Sequence, residues 1–201
     1  MREKLYSTVR TQSSRFVPLL LLSVFSFGVL EGQTEQRTIL SFEPDAVSDW
    51  FVVNDGVMGG VSSSRIRPAS DDAAIFEGHL SLENNGGFAS VRARINEGAL
   101  SKASAVVLRV RGDGNRYQLR LRMGRNWDGV AYAVNFETTA DTWTTVEIPI
   151  EQFQPIFRGF VPRNARALNP SRVQQIGLMV TDKQEGPFRL EISRLEATIG
   201  L

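Results

Sequence analysis

The 201-residue chain contains no cysteine, which removes disulfides, thiol nucleophiles and every Cys-ligated metal centre at once. His79 is its only histidine, so a His-rich zinc site cannot be built and a Ser-His-Asp triad would have to use this one residue. An excess of charge is missing too: 23 Lys and Arg against 22 Asp and Glu leave a net charge of +1, which announces neither nucleic acid nor an acidic surface as a partner. After residue 37 there is no long amphipathic helical pattern, no internal repeat and no low-complexity tract. What remains is 42% hydrophobic and 22% charged, an ordinary balance for one globular domain. Neither a metal nor a cofactor is expected.

The one long apolar run lies at the start. Arg2, Lys4, Arg10 and Arg15 face a single acid, Glu3, and FVPLLLLSVFSFGVL (16–30) follows without a charge. Basic, then apolar, then small residues predicts a signal peptide over 1–28 and export to the periplasm or beyond. Two alternatives stand beside it. One is an anchor left uncleaved through 16–30, although a membrane-spanning helix needs about 20 residues. The other is a mitochondrial presequence, suited by the Arg-, Ser- and Thr-rich opening. Residues 29–37 read as a linker and 197–201 as a tail.

Between them the hydrophobic pattern has period two, as in AVVLRVR (105–111), RYQLRLRM (116–123), VAYAVNF (130–136), WTTVEIPI (143–150) and FRLEISRL (188–195). Such alternation predicts strands with one buried face. The breaks carry turn chemistry: Asn84-Asn85-Gly86-Gly87, Gly112-Asp113-Gly114-Asn115, Asn126-Trp127-Asp128-Gly129 and Glu185-Gly186-Pro187. The expectation is an all-β antiparallel sandwich or barrel. Only 153–171 is irregular, with Pro155, Pro162 and Pro170 barring central strand and helix alike. It reads as a long loop over the sandwich, anchored by Phe153, Phe157 and Phe160, and loops of this kind are often functional.

Read as a hairpin, 105–123 puts Val106, Leu108 and Val110 on the same side as Tyr117, Leu119 and Leu121. Arg109, Arg111, Arg116, Arg120 and Arg122 then share the other side. Such a face is either a solvated lattice balanced by Glu137, Glu147 and Glu191 or a recognition surface of guanidinium forks.

The stretch VVNDGVMGGVSSS (52–64) raises a similar choice. Asn54 and Asp55 hydrogen-bond local amides, while Gly56, Gly59 and Gly60 admit backbone closed to other residues. A structural turn with Trp50 and Met58 packed inward is one reading, and a ligand loop is the other. Trp127 is either an exposed platform for a sugar ring or an aromatic folded back on the core. Asp113 completes an RGD tripeptide but is read as capping a hairpin turn rather than as an adhesion signal. Acid pairs such as Asp71-Asp72 and Asp182 with Glu185 have no readable separation, and His79 falls on the outward phase, so no catalytic set emerges.

Five stretches, WFVVNDGVMGGVSSS (50–64), LSLENNGGFASVR (80–92), VRGDGNRYQLRLR (110–122), FQPIFRG (153–159) and IGLMVTDKQEGPFRLEI (176–192), together resemble the complex I intermediate-associated protein 30 family in order and spacing. The resemblance covers about 38 to 196 and implies a galactose-binding-like jelly-roll sandwich. It also implies a non-catalytic assembly chaperone of respiratory complex I that works through protein partners. An exported carbohydrate-binding module of the same fold is the alternative, with a glycan as partner. Asn54, Asp55, Arg109, Arg111, Arg120, Arg122, Trp127, Phe157 and Arg158 are the candidate ligand or partner contacts. Gly56, Gly59, Gly60, Gly86, Gly87, Gly112, Asp113 and Gly114 are the candidate structural positions.

Overall fold

The computed structural model describes residues 34–69 and 72–200; the expected signal peptide, the alternative anchor, most of the linker and Asp71 lie outside the described residues. Twelve strands form, β1 Thr34–Leu40, β2 Phe51–Val52, β3 Ser63–Pro68, β4 Ala74–Leu80, β5 Ala89–Arg94, β6 Ala103–Arg111, β7 Arg116–Met123, β8 Ala131–Glu137, β9 Trp143–Pro149, β10 Gln154–Ile156, β11 Val173–Val180 and β12 Gly186–Gly200. They make two sheets. The first runs β3-β4-β12-β6-β9 with β1 also paired to β12, and the second runs β10-β8-β7-β11-β5-β2. Every strand pair is antiparallel, as the alternation predicts.

The fifteen-residue β12 is the spine of the first sheet. Its first half pairs with β4 and its second half with β1, end to end along one edge, while β6 lies along the other. A register shift between Ile192 and Arg194 lets so long a strand bend with the sheet. Facing it across the core, Tyr117, Leu119 and Leu121 of β7 and Ile176 and Leu178 of β11 meet Val106, Leu108, Val110, Leu190 and Ile192, all fully buried. Each such side chain contributes roughly 1.5–3 kcal/mol of transfer free energy.

The 105–123 hairpin does not exist. β6 pairs with β12 and β9, whereas β7 pairs with β8 and β11 in the other sheet. The segment Gly112–Asn115 is a corner between sheets. Both arrangements bury the same apolar rows, side by side in a hairpin and face to face in a sandwich, so alternation alone cannot choose between them. The consequence for the arginines is complete: Arg109 and Arg111 point out of one sheet and Arg120 and Arg122 out of the other.

The corner is held by the aspartate of the RGD tripeptide. The Asp113 carboxylate accepts from the Asn115 amide at 3.0 Å, the Tyr117 hydroxyl at 3.0 Å and the Arg189 amide of β12 at 2.6 Å. Gly112 packs against Thr138, whose Oγ1 would stand 2.2 Å from a Cβ placed there. Gly114 turns the chain at φ +92°.

Candidate functional site

The glycine-rich stretch after β2 proves to be built around a buried carboxylate. Asp55 is 0% exposed. It accepts hydrogen bonds from the Ser62 amide and hydroxyl and from the amides of Gly87 and Phe88. Burial alone would raise its carboxyl, but the Ser62 hydroxyl and the amides of Gly87, Phe88 and Ser62 outweigh that and hold it below its ordinary value. Gly60 and Gly86 press on this carboxylate from two directions, since a Cβ on either would lie 2.4 Å from Cγ or 2.6 Å from Oδ2. Gly59 turns at φ +90° and Gly87 at φ +129°, while a Cβ on Gly56 would meet nothing. Asn54 is occupied as well, accepting from the Ser64 hydroxyl at 2.8 Å and the Ser90 amide at 3.3 Å. Asp55 is therefore a structural clasp between two loops rather than a group offered to a ligand. Trp50 is buried as expected, but Met58 is 61% exposed because the turn that encloses Asp55 swings it outward.

The first sheet's outer face is the solvated lattice. Glu77 bridges Arg65 at 2.7 Å, Arg67 at 3.0 Å and Arg189 at 2.8 Å. Glu191 bridges Arg111 at 2.6 Å and Arg189 at 2.7 Å. The Arg67 guanidinium, then that of Arg65, pulls the Glu77 carboxyl down to about 2 against the cost of its burial. Arg109 lies 4.6 Å and Arg111 5.2 Å from the centre of the Trp143 ring. Of the three glutamates expected to balance the arginines, Glu191 does so, Glu137 lies 3.9 Å from Arg116, and Glu147 accepts instead from Thr198.

The second sheet's outer face is different. Arg120 of β7 stands opposite Gly177 of β11, which stands opposite Arg92 of β5. One pair along, Arg122, Gln175 and Arg94 line up in the same way. None of these four arginines has a carboxylate within ion-pair distance among the described residues. The loop 124–130 folds over them: the Trp127 carbonyl accepts from Arg92 at 3.3 Å, and the carbonyls of Gly124 and Asn126 accept from the Gln175 amide at 2.8 and 3.1 Å. Trp127 is half-buried, its ring 4.0 Å from that of Phe51 and edge-on to it, with Arg94 5.2 Å from its centre. Asp49, Phe51, Arg94 and Trp127 line a cleft of about 510 Å³. Arg92, Arg94 and Gln175 escaped the sequence reading, although Arg92 and Arg94 share one phase of ASVRAR (89–94) and that alternation is a usable signal.

The irregular segment is more ordered than its prolines suggest. Residues 157–160 form a tight turn in which Phe157 and Phe160 exchange backbone hydrogen bonds of 2.8 and 3.0 Å. Arg158 and Gly159 at its tip are both left-handed, at φ 47° and 83°, the geometry of a type I′ turn. Phe153 is buried as an anchor should be, but Phe160 is 78% exposed and Phe157 projects as well, because the turn points away from the sandwich. Arg158 covers the Phe157 ring from 5.3 Å. His79 is exposed, as its phase predicts. Among the described residues no three of His, Asp and Glu gather as metal ligands would.

Comparison with known proteins sets this geometry in context. Structures of the family 11 carbohydrate-binding module of the cellulase Lic26A-Cel5E of Clostridium thermocellum are similar to the chain, one at a TM-score of 0.64, with 16% identity over 83% of this chain and 95% of that one. Another, from the same organism in complex with a β-1,3-1,4-mixed-linked tetrasaccharide, gives a TM-score of 0.60 at 16% identity over 82% and 96%. At such identity the likeness shows a shared fold. Complex I intermediate-associated protein 30, mitochondrial, of Mus musculus is 27% identical over 180 residues, which is 79% of this chain and 55% of the mouse protein, so the chain spans about half the length of this relative. The model of that family matches residues 40–192, most of the sandwich, and the chain belongs to the complex I intermediate-associated protein 30 (CIA30) family.

Proposed function

We propose that the chain is a non-enzymatic protein-binding module that assists the assembly or stability of a multi-subunit complex. One observation carries this reading. Among the described residues, six of the seven large exposed apolar side chains gather in two loops at opposite edges of the second sheet, Val57, Met58 and Val61 after β2 and Phe157, Phe160 and Val161 after β10, and the seventh, Val52, lies in β2 itself. Clustered apolar exposure of this kind marks protein interaction surfaces. Family membership supports the same reading, since the mouse relative is named as a complex I intermediate-associated protein.

The test is a crosslinked pull-down of the tagged full-length protein from its host, with membrane, soluble extracytoplasmic and organellar fractions analysed separately by mass spectrometry. The expected result is one stable assembly with the wild type and its loss with Phe160→Ser combined with Met58→Ser. Recovery of the protein alone overturns the reading. The fraction that yields the protein also decides its location: the order of charge and apolarity in residues 1–30 supports export, and the mitochondrial name of the mouse relative supports the organelle.

A second reading rests on the fold shared with carbohydrate-binding modules and on the cleft beside Trp127. In it a glycan enters beside that ring, and Trp127→Ala abolishes retention on a glycan array. The engagement of the Trp127 ring by Phe51 and Arg94 makes it the weaker of the two.

A further inference from the structure

The outer face of the second sheet holds more positive charge than the protein itself neutralises. Burial, with the neighbouring charges of Arg92 and Arg120, pulls the Arg122 guanidinium down to about 9; burial and Arg92 pull Arg120 to about 10. Both are still cations at neutral pH, so the cost of burying them stands. Among the described residues, two acids act on them. Asp182 is bound to Arg116 at 3.1 Å, and Asp128, exposed on the covering loop, attracts Arg92 and Arg122 without reaching ion-pair distance.

Two buried polar atoms point to what is missing. Arg122 is 7% exposed and its Nε has no acceptor; Gln175 is 1% exposed and its Oε1 has no donor. The orientation of the Gln175 amide is fixed by the carbonyls of Gly124 and Asn126, which both take its Nε2 hydrogens and leave Oε1 on the other side. Buried groups of this kind are normally satisfied. The group that completes the set offers oxyanion acceptors to the guanidiniums and an N–H or O–H donor to Gln175. Between Arg92 and Arg120 the sheet presents Gly177, which lets the Arg92 side chain lean across toward Arg120, its Cγ 3.3 Å from where a Cβ on the glycine would stand. Arg92 and Arg120 are only partly buried, which leaves an approach from solvent.

We propose that Arg92, Arg120, Arg122 and Gln175 form a receptor for an acidic side chain of the protein partner, whose carboxylate lies among the guanidiniums and whose backbone N–H reaches Gln175. This rests on the protein-binding reading above. An acidic residue in a peptide supplies both the acceptor and the donor, and the apolar loops at the two edges of the same sheet suit a polypeptide laid across it. Guanidinium forks match carboxylates in a bidentate way, which gives orientation as well as attraction.

The test follows the arginine Nε–Hε signals of the 15N-labelled domain during titration with capped tetraglutamate, capped tetraglutamine, trigalacturonate and inorganic phosphate. The expected result is a saturable shift of the Arg122 and Arg120 signals with tetraglutamate, none with tetraglutamine, and a binding constant weakened about tenfold or more by Arg122→Gln. Arg109→Gln, on the other sheet, leaves the titration as it is. The wild-type signals report directly, so the result does not depend on how well the variant folds. Absence of a saturable shift with tetraglutamate overturns the proposal. A response to trigalacturonate alone overturns the protein source in favour of an acidic glycan, and an equal response to phosphate reduces the cluster to an unselective anion site. If the pull-down survives Arg122→Gln but not the apolar-loop substitutions, the receptor falls and the protein-binding function stands. If the wild type recovers no partner, the function falls and takes this source with it.

Discussion

Gly60 and the carboxyl of Asp55 are packed so closely that a Cβ on the glycine would stand 2.4 Å from Cγ. Neither can yield, because the carboxylate is tied to three amides and a hydroxyl. Gly60→Ala is therefore expected to destabilise the domain by about 1–3 kcal/mol, the ordinary cost of overpacking. Gly56→Ala, where the added methyl meets nothing, is expected to stay within about 0.5 kcal/mol of the wild type. Urea unfolding of the two variants checks the contrast.

Acid should loosen the same clasp. The Asp55 carboxyl is held below its ordinary value in the folded state, and Glu77 is held at about 2. Each contributes stability that is present above the unfolded value, about pH 4, and is lost as pH falls through the folded one. Urea midpoints are expected to drop steadily from about pH 5 to pH 2 and to drop less in Glu77→Gln. An unchanged slope in that variant would remove Glu77 from the account.

Arg122 is a buried cation with no carboxylate at ion-pair distance among the described residues, so Arg122→Met should raise rather than lower the stability of the free protein, by about 1 kcal/mol. Thermal and urea unfolding measure it. A loss of several kcal/mol would mean that the covering loop already compensates the charge.

Asp113 is placed to hold the corner between sheets, and Asp113→Ala strips acceptors from Asn115, Tyr117 and Arg189 together. The expected cost is about 2–3 kcal/mol, because partly buried donors are left unpaired. Asp113→Ala should not change attachment of cells to surfaces coated with the folded protein, since the carboxylate already faces inward to these donors.

Much of the fold was legible because alternation reports which residues share a face. The five segments quoted from the sequence coincide with β6, β7, β8, β9 and part of β12. What alternation does not report is the identity of the neighbouring strand. The arginine rows of β6 and β7 were thus assigned to one surface when they occupy two, one neutralised by Glu191 and the other not. The same limit hid Arg92 and Gln175, which reach Arg120 and Arg122 only through the pairing of β5, β11 and β7. The choice between a structural turn and a ligand loop at Asp55 stayed open for a related reason. Its motif looks like a polar loop, and its burial comes from amides more than 30 residues away at Gly87 and Phe88.

The pairing of β12 also governs the order in which the molecule can be made. β3 with β4 and β6 with β9 can each form locally, yet the strand that joins these pairs spans Gly186–Gly200, and β1 closes only against its far end. Until that stretch has left the ribosome, the two halves of the first sheet expose unpaired edges at β4 and β6. Contacts of such sequence separation fold slowly. The nascent chain therefore passes through a stage with unpaired strand edges, and substitutions in β12 are expected to show first as lower yield during synthesis.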